Sequence, residues 1–346
     1  MIYFNSDYLE GAHPALLEKL NETNMVQTVG YGEDEYCAAA REKIKAACQA
    51  PEADVHFLVG GTQTNTTVIA AILRPWQGVL SAVSGHINCH EAGAIESTGH
   101  KVITLPTTNG KITAQQVRDY VEWHKHDEST EHIVQPGMVY ISHPTEGGTL
   151  YTKAELTELY GTCREYGLPL FIDGARLGYG LMADESDMTL PELARLCDVF
   201  YIGGTKVGAL FGEAVVIMNE SLKKDFRFIM KQRGGRMAKG RLLGVQFDAL
   251  FTDDLYFKIS RHAIEMAHQI RDIFVSAGYP LLFDSPTNQQ YPIMPDDELA
   301  EIGKSFGYEY WERVDETHSG VRFCASWATT QENVDALRAA VQALKK

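Results

Sequence analysis

Between about residues 55 and 220 the chain alternates short apolar runs with segments of helical length. The runs are Val55–Val59, Val79–Val83, Lys101–Pro106, Met138–Ser142, Leu168–Asp173, Asp198–Ile202 and Phe211–Met218. They are rich in β-branched and aromatic residues and bounded by Gly, Pro or polar turn residues, so each reads as a buried strand. Between and around them Glu35–Cys48, Thr66–Leu73, Thr113–Trp123 and Lys153–Tyr166 read as helices, with a hydrated, charged continuation at His124–Glu128. Such alternation specifies an α/β chain with a mainly parallel central sheet and helices on both faces. Residues 1–35 look irregular apart from a helix at Pro14–Leu20. Leu242–Ala277 reads as two long helices, after which the short strands Gln290–Met294 and Gly320–Ala325 mix with helices. The pattern therefore predicts a large domain over 1–250, including the segment 1–35, and a smaller C-terminal α+β domain over 251–346.

Polar residues of interest fall repeatedly where a strand turns into a helix. In an open α/β sheet that rim is where ligands bind. Lys206 follows the Asp198–Ile202 strand and a Gly-Gly break. Asp173 ends the preceding strand, followed by Gly174, Ala175 and Arg176. A lysine at such a position can carry an aldehyde if burial or a nearby cation lowers its pKa. An acid on the neighbouring strand can keep a pyridine nitrogen protonated. Those are the two fixed requirements of a pyridoxal 5'-phosphate (PLP) site. An Asp at a strand end is otherwise a turn residue and a Lys after Gly-Gly-Thr a solvated charge; it is the pair, on successive strands, that points to the cofactor.

Gly60-Gly61-Thr62 after the first strand offers freed backbone N–H groups and a hydroxyl to an anion. It lacks the Lys-Ser/Thr ending of a nucleotide loop and the spacing of a dinucleotide fingerprint, which favours a single phosphate monoester. A tight capped turn is the plainer alternative. His86, just past the Val79–Val83 strand, can stack on a ring or exchange protons near neutral pH; it is preferred over His90 because it lies nearer the strand end. His143 is a third residue at a strand end. Arg322, among apolar neighbours, needs an anion, either a substrate carboxylate or an internal acid. The basic stretch Lys231–Arg241 is either a solvated loop or a supply of cations to a phosphate, including a neighbouring subunit's.

Composition narrows the function. The chain has 346 residues and a net charge of -15, so there is no basic excess to neutralise nucleic-acid phosphates. No apolar run reaches membrane-spanning length and no signal peptide is visible at the N-terminus. The six cysteines are scattered, without a C-x-x-C pair, and read as reduced thiols of a cytoplasmic protein. No His/Cys/Asp cluster has metal-ligand spacing.

The order of these pieces resembles the low-specificity threonine aldolases of the PLP-dependent β-eliminating lyase group, enzymes of fold-type I. Ser6-Asp7 and Tyr31-Gly32-Glu33-Asp34 are similar to that family's N-terminal signatures. Gly61-Thr62 is similar to its phosphate loop, Gly85-His86 to its ring-stacking histidine and Asp173-Gly174-Ala175-Arg176 to its most specific motif. The resemblance implies Lys206 as the covalent carrier, Arg176 on the ring's phenolic oxygen, and His143 near the substrate hydroxyl. It further implies Ser6, Tyr31, His143 and Arg322 around a small amino-acid substrate, with His86 or His143 as the base. The reaction implied is cleavage of a β-hydroxy-α-amino acid to glycine and an aldehyde, in a homodimer or homotetramer. β-Elimination, transamination or a non-catalytic PLP-fold module are the alternatives. The sequence departs from the family pattern at Gly60 and Gln63-Thr64, at Thr145, at Gly204-Thr205 before the lysine, and across Arg233–Arg241.

Overall fold

The structure, a computed structural model, describes residues 1–345. Its centre is a seven-stranded sheet built from Asp54–Leu58 (β1), Gln77–Ala82 (β2), Val102–Leu105 (β3), Gln135–Ser142 (β4), Leu170–Asp173 (β5), Val199–Gly203 (β6) and Glu213–Ile217 (β7). Their order across the sheet is β1-β7-β6-β5-β4-β2-β3. The β2–β3, β2–β4, β4–β5 and β5–β6 pairs are parallel, and only β7 runs against its neighbours β1 and β6. All seven expected strands are present, the mainly parallel α/β arrangement among them.

Alternation along the strands divides the core into two faces. Val139, Ile141, Leu170, Ile172, Phe200 and Ile202 belong to one buried cluster; Met138, Tyr140, Phe171, Val199 and Tyr201 belong to the other. A period of two with both sets apolar is what a sheet covered by helices on each face requires. The same alternation sends Tyr140, Asp173 and Tyr201 to one face at the strands' carboxyl ends.

A second, smaller sheet comprises Gln289–Gln290 (β8), Ile293–Pro295 (β9), Glu309–Arg313 (β10) and His318–Cys324 (β11). The run Gln290–Met294 is not one strand, because Pro292 interrupts it; β8 and β9 pair with different parts of β11. The Leu255–Ser276 helix joins the two units: its Tyr256, Ile259, Ala263 and Ile264 pack into the large core, and its Met266, Ala267, Ile270, Ile273 and Phe274 into the C-terminal one. The helix before it, Arg241–Leu250, is short. The chain's first residues also reach the C-terminal core. Ile2–Tyr3 pairs in parallel with Phe306–Gly307, and Phe4 is buried there.

Two local expectations are corrected. The helix at the Gly60 turn starts at Gly61, not Thr66, because the Gln63 side chain accepts from Val59 N–H at 3.1 Å and pins the first turn to the strand. The Thr113 helix continues to His126, and His124 is not solvated. It is buried with Nδ1 3.1 Å from the Thr130 hydroxyl.

Candidate active site

Two adjoining hollows open at the carboxyl ends of the parallel strands. One, of about 340 Å³, is lined by Gly60, Gly61, Thr62, His86, Glu146, Asp173, Arg176, Tyr201, Lys206 and Glu213, among others. The other, of about 460 Å³, adds His90, Glu309, Tyr310, Trp311 and Arg322. Tyr8, His86, Glu146, Arg176 and Lys206 border both.

Glycines bring the Asp173 and Lys206 turns together. A Cβ on Gly174 would lie 2.0 Å from the Tyr201 carbonyl oxygen, and one on Gly203 2.2 Å from the Ala175 carbonyl oxygen. Only residues without a side chain permit this contact, which Gly203 N–H donating to Gly174 O at 2.9 Å then fixes.

Asp173 is buried and saturated with donors. Tyr201 OH donates to Oδ1 at 2.5 Å and Ala175 N–H at 3.0 Å; Tyr140 OH donates to Oδ2 at 2.6 Å and the Asn65 amide at 3.1 Å. Burial alone would raise its pKa, but the charge of His86 and these hydrogen bonds hold the carboxyl below its ordinary value. Asn65 also donates to Glu91 at 2.7 Å, and Glu91 Oε1 lies 2.8 Å from His86 Nδ1. Burial works to lower His86, and the Glu91 hydrogen bond with the Asp173 charge overcomes it, so the imidazole is held above its usual pKa.

Arg176 forms a two-pronged pair with buried Asp7, Nε to Oδ2 at 2.6 Å and Nη2 to Oδ1 at 3.0 Å. Asn288 donates to Asp7 Oδ2 at 2.9 Å. Against burial, Arg176 and Lys206 pull Asp7 down to about 2. Lys206 itself is lowered, first by burial and then by the Arg176 charge. On its other side Glu213 accepts from Gly204 N–H at 3.0 Å and Thr205 Oγ at 2.9 Å, and burial pushes its carboxyl up to about 8.

Lys206, Asp173, Arg176, His86, Gly61 and Thr62, all expected from sequence, line one cavity, and Arg322 lines its neighbour. Among the described residues Arg322 finds no acid; it donates to the Asn5 carbonyl at 2.8 Å and to Gln289 Oε1 at 3.2 Å. Three expected residues do not line either hollow. Ser6 is buried, with its hydroxyl unpaired among the described residues. His143 is 1% exposed; its Nδ1 accepts from Tyr151 N–H at 3.4 Å and its Nε2 is sealed without a partner among the described residues. Tyr31 lies elsewhere in this chain, held by its N–H on the Ala238 carbonyl at 3.1 Å, in a small recess with Arg41, Arg227 and Arg236. The basic stretch is not a free loop. Lys231 lies 4.8 Å from the Tyr31 ring, Arg236 pairs with Glu33 at 3.6 Å, and the Arg233 carbonyl accepts from Gln63 at 3.1 Å. Tyr8, Tyr140, Tyr201, Asn65, Glu91, Glu146 and Glu213 were not anticipated. Of these only Tyr140 and Tyr201 left a trace: a Tyr inside an apolar run must find a partner for its hydroxyl.

A family model described as Beta-eliminating lyase matches residues 4–341. The chain belongs to the beta-eliminating lyase family. Within it, the chain is 42% identical to the Leishmania major threonine aldolase over 100% of both chains, with a TM-score of 0.97. It is 28% identical to the low specificity L-threonine aldolase of Pseudomonas aeruginosa, over 96% of this chain and 94% of that one. The fold of this beta-eliminating lyase extends further. The histidinol-phosphate aminotransferase of Clostridium acetobutylicum, 13% identical, superposes over 100% of this chain and 99% of that one with a TM-score of 0.74. Among the described residues no helix is long and apolar enough to cross a membrane, and no group of three or more His, Cys, Asp or Glu side chains could hold a metal ion.

Proposed function

We propose that this chain is a PLP-dependent aldehyde-lyase that splits a β-hydroxy-α-amino acid of the threonine type into glycine and an aldehyde. The observation that carries the reading is the union, in one cavity, of a lysine of depressed pKa and an ionised, donor-saturated aspartate on the next strand. The threonine aldolases among its relatives support the substrate class.

The residues fit the cofactor. Gly60 caps its helix with no side-chain hydrogen bond, which leaves the first-turn amides and the Thr62 hydroxyl to a phosphate. Asp173 would face the ring nitrogen, Arg176 the phenolic oxygen and His86 the ring, with Lys206 as the covalent carrier. Bound PLP supplies an electron sink for the pair released at the substrate's α-carbon. The chain does the rest. Burial and Arg176 favour the neutral amine of Lys206 that a condensation with an aldehyde needs. Asp173 keeps its negative charge at neutral pH. Arg322, with no acid beside it among the described residues, is free to take the substrate carboxylate and so decides which α-carbon bond is aligned for cleavage. In this reading residues 1–250 bind the cofactor, 251–346 carry the carboxylate-binding arginine, and the working form is a homodimer or homotetramer.

Purified protein should be yellow, and Lys206→Ala should be colourless. Threonine should yield acetaldehyde, whereas serine or cysteine giving pyruvate and ammonia would move the chain to the eliminases. A colourless wild type with no release from either class would end the reading.

A further inference from the structure

A threonine-type substrate cannot split until its β-hydroxyl proton has somewhere to go, and hydrogen bonding removes the obvious acceptors one by one. His143 spends its Nδ1 lone pair on Tyr151 N–H, so a neutral ring carries its proton on the sealed Nε2 and has no basic atom left for a substrate. His86 is tied to buried Glu91 at 2.8 Å and held toward its charged form, which makes it a donor. Both oxygens of Glu213 are taken by Gly204 and Thr205.

Glu146 remains. It borders both hollows together with His86, Arg176 and Lys206. Its Oε1 accepts from Ser142 Oγ at 2.6 Å and from His86 N–H at 2.9 Å. Among the described residues no other residue donates to its Oε2, and the side chain is half-buried at the border of the two hollows. The backbone is clamped as well: the Glu146 carbonyl accepts from Tyr291 OH at 2.9 Å and from Gln289 Nε2 at 3.4 Å. Gln289 in turn receives Arg322 at 3.2 Å. One free carboxylate oxygen is thereby fixed relative to the arginine assigned to the substrate carboxylate. Burial, reinforced by the nearby Asp173 charge and only partly countered by the bonds from Ser142, its own backbone amide and His86, raises the carboxyl above its ordinary value, which suits a group that must gain a proton.

We propose that Glu146 is the general base of the cleavage, accepting the β-hydroxyl proton on Oε2. The assignment rests on the aldehyde-lyase reading above. As the proton transfers, the O–H pair becomes the second bond of the new carbonyl and the Cα–Cβ bond breaks. That bonding pair stays with the α-carbon, which takes up one proton to become glycine. Substrate atoms equal product atoms, and no oxidant or further reactant enters.

Glu146→Gln keeps the shape and the acceptor for Ser142 and His86 but cannot take the proton. In the holoenzyme its kcat for threonine should fall on the order of 100-fold or more, the usual worth of a positioned base. KM, the visible absorbance band and its change on glycine binding should stay within about threefold, as should deuterium exchange at the glycine α-carbon, which needs no hydroxyl proton removed. The wild-type rise of kcat/KM with pH through the Glu146 ionisation should be absent from the variant. Cleavage within about threefold of wild type would overturn the assignment. So would loss of colour and glycine binding along with cleavage, or a larger fall in kcat from His143→Asn. A wild type that is colourless and inert with both amino acids overturns the functional reading itself, and the base assignment with it.

Discussion

Around Lys206, Asp7 and Asp173 accept from three and four donors, whereas the Glu146 and Glu213 carboxyls accept from two each. Burial acts on all four in the same direction, toward the protonated form. The arginine pair takes Asp7 down to about 2, and His86 with two tyrosines takes Asp173 below its usual value. Glu213, with one amide and one hydroxyl, stays up at about 8, and Glu146 is raised as well. The cavity thus separates acids that keep a charge from acids that can carry a proton, and the separation follows the number of donors each carboxyl meets rather than depth.

The strongest way to break this arrangement is to remove the group at its centre. Lys206→Ala should abolish the covalent cofactor band and lower threonine cleavage on the order of 10⁴-fold or more, the scale seen when a covalent nucleophile is deleted. Spectra and acetaldehyde release check it. Retained colour would mean that the two carboxylate classes serve some other chemistry.

Next in size is the charge-keeping half. Asp7→Asn strands the Arg176 guanidinium in the wall, and breaking a buried pair from one side costs about 3–5 kcal/mol. Thermal or denaturant unfolding near neutral pH measures it. The wild type carries the same information in its acid limb. Asp7 has a lower pKa folded than unfolded, so its contribution is present above about 3.8 and is lost as pH falls toward about 2. The linkage amounts to about 2 kcal/mol.

Glu213 should behave with the opposite sign. Its folded pKa is raised, so from about 4.5 upward the unfolded chain sheds a proton that the folded chain keeps until about 8. Stability therefore falls as pH rises through that window, by at most about 1.4 kcal/mol per pH unit from this group. Glu213→Gln removes the titration. The difference in unfolding free energy between variant and wild type should grow in the variant's favour from pH 5 to pH 8; a constant difference would place Glu213 with the charged pair.

How much of this was legible in the sequence depended on where the deciding contact lay. The central strands announced themselves because both faces are covered and nearly every residue is apolar. β10, Glu309–Arg313, was missed because it is mostly exposed and its Glu-Tyr-Trp-Glu-Arg sequence has no apolar/polar period of two. Ile2–Tyr3 is too short to leave a pattern. Asp173 and Lys206 could be paired because neighbouring strands of a parallel sheet end on one rim. Tyr31 could not be placed, since its anchor is a carbonyl at Ala238, far along the chain. His143 shows a subtler limit: a histidine at a strand end is visible in sequence, but which way its ring turns is decided by Tyr151 N–H. Glu146 failed for the converse reason. Between Thr145 and Gly147 it reads as a loop charge, and only the fold shows Tyr291 and Gln289 holding its carbonyl.

The smallest predicted effect tests the donor argument on Asp173 itself. Tyr201→Phe deletes the 2.5 Å donor to Oδ1 and nothing else, leaving Ala175 N–H on that oxygen and Tyr140 with Asn65 on the other. No polar atom is orphaned, so the stability cost should be about 1.5–3 kcal/mol, that of one hydrogen bond to a charged acceptor. Asp173 should remain ionised, the cofactor band should persist, and kcat should fall on the order of tenfold at most, since a tenfold change corresponds to about 1.4 kcal/mol. The Tyr140→Phe/Tyr201→Phe double variant is the sharper comparison. It leaves Asp173 with two donors, Ala175 N–H and the Asn65 amide, the same number that Glu213 has. If donor number sets the charge, the double variant should lose more than the two single variants together. Loss of colour in the single variant would show instead that Tyr201 holds the cofactor directly.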